Sequence, residues 1–162
     1  MADIVPPEIR SRMMAGIRGR NTKPEILLRS GLHRLGLRFT LNSKLPGKPD
    51  LVLPRHRVVV FFHGCFWHGH DCPLFRLPAT RTGFWKEKFG NNRERDRRIL
   101  ASLVIDGWRV AIVRECSIRG AGKRPWNTVC EDLADWIRGR QDSALEIAAV
   151  DCKSALEQHV CP

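Results

Sequence analysis

The sequence predicts a single α/β domain with a central mixed β-sheet flanked by helices. Three observations predict it. The run Val58 to Phe62 is apolar at every position, so its strand is covered on both faces. The candidate elements follow in the order helix, three strands, helix, strand, helix, the alternation of a small α/β domain. The chain has 162 residues with 43% hydrophobic content, which suits one domain with a real core.

Each element has its own signature. Residues 7–18 place Ile9, Met13, Met14 and Ile17 on one side of a short basic helix, within an N-terminal arm spanning 1–20. Residues 22–36 form a firmer helix: Thr22 and Glu25 have capping-box spacing, and Leu28, Leu32 and Leu35 make an apolar stripe. Strands are expected at 37–41, 50–53 and 57–62, the last two joined as a hairpin through Pro54-Arg55-His56. Residues 63–80 read as a loop held by something other than a core. Residues 82–106 are helical, in two pieces broken near Gly90, with Ile99, Leu100, Leu103 and Val104 inward. A strand at 108–113 and a helix near 125–138 follow, with Cys130, Trp108 and Trp136 as core residues. The pattern fades beyond 140, so the domain is taken as 1–140 and residues 141–162 as a C-terminal tail.

Charge is the strongest compositional bias. Lys and Arg number 28 against 17 Asp and Glu, a net +11. The basic residues cluster at 10–23 and at Arg93, Arg95, Arg97 and Arg98, which points to a polyanionic partner whose counterions they displace. No apolar run approaches a membrane span and no secretory signal is evident, so a soluble intracellular protein is expected. Of the six cysteines, the close Cys65…Cys72 pair is then better read as metal ligands than as a disulfide and Cys130 as a core residue, while Cys152 and Cys161 fall in the tail with no assigned role.

The loop His63-Gly64-Cys65-Phe66-Trp67-His68-Gly69-His70-Asp71-Cys72 holds three histidines, two cysteines and two adjacent aromatics. Cys65, His70, Cys72 and Cys116 make a closed tetrahedral zinc set with no open position, hence structural; on spacing alone His63 or His68 could replace one of them. A remaining His can do acid–base work. Phe66 and Trp67 lack a period that would bury them in the sheet, so they are expected to be exposed; on a DNA-binding protein such rings wedge between base steps. The second constellation is Pro46-Gly47-Lys48-Pro49-Asp50, which carries a carboxylate into a strand and can hold Mg²⁺, a hard cation that prefers oxygen.

These blocks, with Pro78-Ala79-Thr80-Arg81-Thr82-Gly83-Phe84-Trp85, Asn92-Arg93-Glu94-Arg95-Asp96 and Gly107-Trp108-Arg109-Val110, closely resemble the very short patch repair (Vsr) endonucleases from about residue 8 to 138. The resemblance implies a restriction-endonuclease-like core and nicking of DNA on the 5′ side of the T in a T:G mismatch left by deamination of 5-methylcytosine. It implies that Asp50 and the backbone carbonyl of Phe62 bind Mg²⁺ and that His68, oriented by Asp96, activates water. His63 and Glu25 would support metal-bound waters and the phosphate. Cys65, His70, Cys72 and Cys116 match the structural zinc ligands. Phe66, Trp67 and Trp85 match the mismatch wedge, and Met14 matches a contact from the opposite groove. Phe62 stands where Thr occurs in the family, which removes a hydroxyl but keeps the carbonyl, and Gly69 stands where a further His can occur. Double-stranded DNA with a T:G mismatch is the implied partner, with mismatch-repair proteins alongside, for a monomer in the bacterial cytoplasm at the nucleoid. Glu25 carries two readings of equal weight, capping partner or site residue. A catalytically silent binding module and a double-strand-cutting endonuclease are the competing functions.

Overall fold

The computed structural model describes residues 6–17, 19–41 and 43–152; Cys161 and the rest of the 153–162 segment lie outside them. Four strands form one sheet in the order β1 (Leu51–Leu53), β2 (Val58–His63), β3 (Arg109–Arg114) and β4 (Ala144–Ile147). β1 runs antiparallel to β2, and β2, β3 and β4 are mutually parallel. The helices are α1 (Pro7–Ala15), α2 (Lys23–Arg34), α3 (Thr82–Ile105) and α4 (Trp126–Arg138).

The central strands alternate between two cores, as the period-2 geometry of a strand requires. Val58 and Val60 of β2 and Ala111 and Val113 of β3 face α2 and α4, meeting Leu28, Leu32, Leu133 and Ile137. Val59, Phe61, Val110 and Ile112 face α3, meeting Leu103, Ile99 and Leu100. The apolar run of β2 is therefore covered on both sides, and the sheet is the middle layer of three. Cys130 lies on the buried face of α4, and Trp108 and Trp136 pack partly buried against the two cores. Among the described residues, no helix is long and apolar enough to cross a membrane.

Three expectations about elements change. The strand expected at 37–41 reduces to one antiparallel bridge, Thr40 to Val52; β1 is only three residues long and offers no longer ladder. The break expected near Gly90 is absent: α3 is one helix of 24 residues. A mid-helix Gly costs about 1 kcal/mol, and burial of Phe89 on one side of it and Leu103 on the other outweighs that cost. The fold also continues past residue 140. Ala144–Ile147 pairs with β3, with Ile147 buried at 3% exposure, and Arg109 ties this end down by donating to the Asp142 carbonyl. The segment is short and its inward positions are few, so it lacks a strong sequence pattern.

Candidate active site and metal centre

Two ends of the sheet chemistry meet at the C-terminal end of β2. Asp50 sits just before β1, and its Oδ2 accepts from the Phe62 N–H at 2.7 Å, which pins the carboxylate beside the β2 exit. Burial pushes the Asp50 carboxyl up to about 6; the Phe62 N–H pulls it down, and the nearby Glu25 carboxylate pushes it further up. Asp50, Phe62, His63, His68 and Asp96 line one cleft of about 420 Å³, together with Arg20, Lys48 and Arg95.

His63 ends β2 and is buried. Its ring stacks on that of His68 with centroids 3.7 Å apart and planes 5° from parallel. His68 Nδ1 lies 2.5 Å from Asp96 Oδ2, across from α3. Burial first, then His68 and Arg114, hold His63 well below the ordinary imidazole value. Ligating atoms of His63, His68 and Asp96 also lie close enough together to hold an ion, but one Asp96 oxygen and His68 Nδ1 are spent on each other. Sequence reasoning missed Arg114 and Glu146 behind this site: Arg114 Nε donates to Glu146 Oε1 at 2.6 Å, and its Nη1 to His63 Nδ1 at 3.4 Å. Arg114 falls just beyond the strand expected at 108–113, and Glu146 in the segment taken as a tail.

Glu25 is buried at 5% exposure. It accepts from the Asn21 N–H at 2.7 Å and from the Thr22 hydroxyl at 2.9 Å, and pairs with Arg29 at 3.4 Å. The expected capping box is not formed, because Thr22 makes no side-chain bond to a helix N–H and instead donates to Glu25. The carboxylate is engaged at the start of α2 and is not among the residues lining the cleft, and its link to the site is the electrostatic one to Asp50. The basic run on α3 divides: Arg97 and Arg98 both pair with Glu94, while Arg95 turns to the cleft.

Cys65, His70, Cys72 and Cys116 come together as expected. All four are buried, with ligating atoms within 4.8 Å of one another. The alternative in which His63 or His68 replaces one of them is not the arrangement found, since those rings stack in the cleft. The Cys65–Cys116 hydrogen bond holds the Cys116 thiol below its ordinary value, and the same bond with burial pushes Cys65 above it. Backbone N–H groups of Cys116 and Ala149 reach Cys65 Sγ and Cys116 Sγ at 3.4 Å each, the donors that a metal thiolate accepts. A donor set of three thiols and one imidazole fits a zinc ion. At Asp50 the oxygen donors fit a different ion: a carboxylate with an open cleft beside it suits Mg²⁺, which keeps several water and phosphate ligands.

Phe66 and Trp67 are half-buried rather than exposed. Phe66 packs edge-on to Trp67, Trp85 and Phe89 at 5.1, 5.4 and 5.2 Å, and Trp85 stacks on Phe89 at 5.6 Å. Phe89 and Phe75, not singled out from the sequence, are the base of this cluster. Lys88 lies over Trp85 and Trp67 at 5.4 and 5.7 Å, and Asn92 Nδ2 donates to the Trp67 carbonyl at 2.8 Å. Gly69 has φ +56°, a conformation that disfavours a side chain, and a Cβ there would lie 3.3 Å from Phe89. Met14 is on α1, a helix with no buried residue, and is 40% exposed. It is not among the residues lining the cleft.

The three-layer architecture with this sheet order belongs to the restriction-endonuclease-like class. Residues 2–74 match the family model described as DNA mismatch endonuclease Vsr. The chain is 48% identical over 145 residues to the DNA mismatch endonuclease Vsr of Escherichia coli, covering 89% of this chain and 93% of that protein. It is 48% identical over 123 residues to the type II nicking enzyme V.XorIIP of Xanthomonas oryzae pv. oryzae, covering 75% and 90%. It is 42% identical over 120 residues to the type II nicking enzyme V.NmeAIP of Neisseria meningitidis, covering 74% and 86%. The chain belongs to the Vsr family of DNA mismatch endonucleases.

Proposed function

We propose that the protein nicks one strand of duplex DNA on the 5′ side of the T in a T:G mismatch and so opens very short patch repair. The observation that carries this reading is the cleft itself: Asp50, His63, His68 and Asp96 beside Arg20, Lys48 and Arg95, with Phe66 and Trp67 of the aromatic cluster on the loop that carries His68. Arg and Lys hold the phosphate backbone without reading sequence. Asp96 accepts the Nδ1 proton of His68, which leaves the Nε2 lone pair as the base that takes a proton from the attacking water. Asp50 and the Phe62 carbonyl would hold Mg²⁺, with Glu25 and His63 supporting its waters and the phosphate. Bound there, the ion would supply charge stabilisation at the phosphate. Cys65, His70, Cys72 and Cys116 would hold a structural zinc that fixes the loop. Phe66, Trp67 and Trp85 form the wedge, which pays less unstacking cost at a mispair than in matched duplex. Among the described residues Asp50, His68 and Asp96 make a single such cleft, so a monomer would nick and not cut both strands.

The test is cleavage of duplexes labelled on both strands, with T:G, T:A and C:G at one position, with and without Mg²⁺. A single Mg²⁺-dependent nick 5′ of the mispaired T is expected. Equal cleavage of matched duplex, or breakage of both strands, would replace this reading with that of an ordinary restriction endonuclease. Tight mismatch binding with no cleavage would replace it with a binding module.

A further inference from the structure

We propose that Arg114, anchored by Glu146, is a positioning residue that fixes His63 in its Nε2–H tautomer, so that the stacked histidines present one proton donor and one proton acceptor to the same phosphate. The inference rests on the nicking mechanism above but begins from groups that mechanism does not use. Arg114 is the last residue of β3 and is buried, with its side chain 11% exposed, and the Glu146 side chain is 0% exposed. Burying such a pair is costly and brings little net stability over apolar residues of the same size. Here the pair also contacts the active site through His63.

The tautomer follows from donor and acceptor chemistry. A guanidinium has five N–H donors and no acceptor. Arg114 Nη1 lies 3.4 Å from His63 Nδ1, so that nitrogen accepts, and the neutral ring carries its proton on Nε2. His68 is held the other way round. A carboxylate accepts only, so Asp96 at 2.5 Å requires a proton on His68 Nδ1 and leaves Nε2 bare. The rings are stacked and parallel, and both residues line the cleft. Nε2 is the ring nitrogen left free on each. His68 can then take a proton from water while His63 donates a hydrogen bond to an oxygen of the phosphate, with no exchange of roles between them. Glu146 sits on β4 opposite Ile112, so the last strand of the sheet reaches the cleft through this one pair.

The deciding experiment uses the full chain labelled with ¹⁵N-histidine and without DNA. Side-chain ¹⁵N spectra of the wild type should show His63 protonated on Nε2 and His68 on Nδ1. In R114Q/E146Q the charged pair becomes an amide pair that stays hydrogen-bonded when buried. The Gln amide nitrogen ends two bonds short of the guanidinium reach, so His63 should become a tautomer mixture while His68 is unchanged. Single-turnover nicking should slow by roughly tenfold, well below the loss for a removed acid–base group. Affinity for mismatched duplex should stay within about twofold, because no phosphate-binding Arg or Lys is touched. Should that variant not fold, Glu146→Asp, which draws Arg114 back by one carbon, should give a smaller change in the same direction. A wild-type His63 protonated on Nδ1, an unchanged tautomer in the folded variant, or a lost tautomer with undiminished nicking would each overturn the proposal. A wild type that nicks nothing would instead overturn the functional reading, and the spectra would still decide the tautomer.

Discussion

Burial of Asp50 stores a pH-dependent cost that Mg²⁺ would relieve. Its carboxyl is raised from 3.8 to about 6, chiefly by desolvation. A carboxyl whose folded value lies above its unfolded value gives stability that is complete below the unfolded value and is lost as pH rises through the folded one. Asp50→Asn keeps an oxygen for the Phe62 N–H and removes the charge. In buffer without Mg²⁺ it should therefore stabilise the protein by about 1–3 kcal/mol at pH 8, by the worth of about two pKa units, and the gain should close as pH falls toward 4. Urea unfolding at both pH values checks this, and no gain at pH 8 would show that the carboxylate is well solvated. Trp67 supports a second expectation. Its backbone carbonyl, held by Asn92, keeps the loop path whatever the side chain is. Trp67→Ala should then lower affinity for T:G duplex by roughly tenfold, the worth of a stacked base, with matched-duplex affinity and melting temperature little changed. Equal loss on both duplexes with a lowered melting temperature would make Trp67 a packing residue. The residues of the cleft were legible because their side-chain chemistry is rare at such spacing. Arg114 and Glu146 were not, because a strand-end Arg and a Glu 32 residues later carry no joint signal until β3 and β4 pair.

At the scale of elements, hydrophobic period located every helix and the two central strands within a few residues. The errors fell where burial and propensity disagree. Gly90 weakens α3 locally, yet burial of Phe89 and Leu103 holds it as one helix. Leu37 is buried and Phe39 packs against the core, but the chain around them makes only one bridge to β1. β4 was hidden because four residues are too few to set a period: Leu145 and Ile147 face one core and Ala144 the other, but the fourth position is a buried Glu paired to Arg114. Its packing gives a direct check: Ile147 is buried in the same core as Leu133 and Ile137. Ile147→Ala should cost about 2–4 kcal/mol in denaturant unfolding, the usual range for a truncated core aliphatic. A cost near zero would restore the view of this segment as a dispensable tail.

For the whole molecule, the ten residues from the end of β2 to Cys72 are shared by three groups of side chains. Cys65, His70 and Cys72 turn to Cys116 beyond β3, while His63 and His68 turn to the cleft and Phe66 and Trp67 to the aromatic cluster on α3. The loop itself has no aliphatic residue and meets only a small apolar cluster around Ala149 and Leu74, so with a zinc ion held by Cys65, His70, Cys72 and Cys116 its order would depend on that ion and on those rings, whereas the sheet has its own two cores. Opening of the loop and global unfolding are thus separate events with separate free energies. After zinc is stripped by a chelator, amide hydrogens from Gly64 to Phe75 should exchange as one fast group while those of β2 and β3 stay slow, and nicking should cease before the sheet melts. Uniform acceleration across all strands would mean that the ion holds the entire chain together. In this protein, loss of activity under metal starvation would therefore be a reversible local melting, leaving a folded scaffold that recovers when the ion returns.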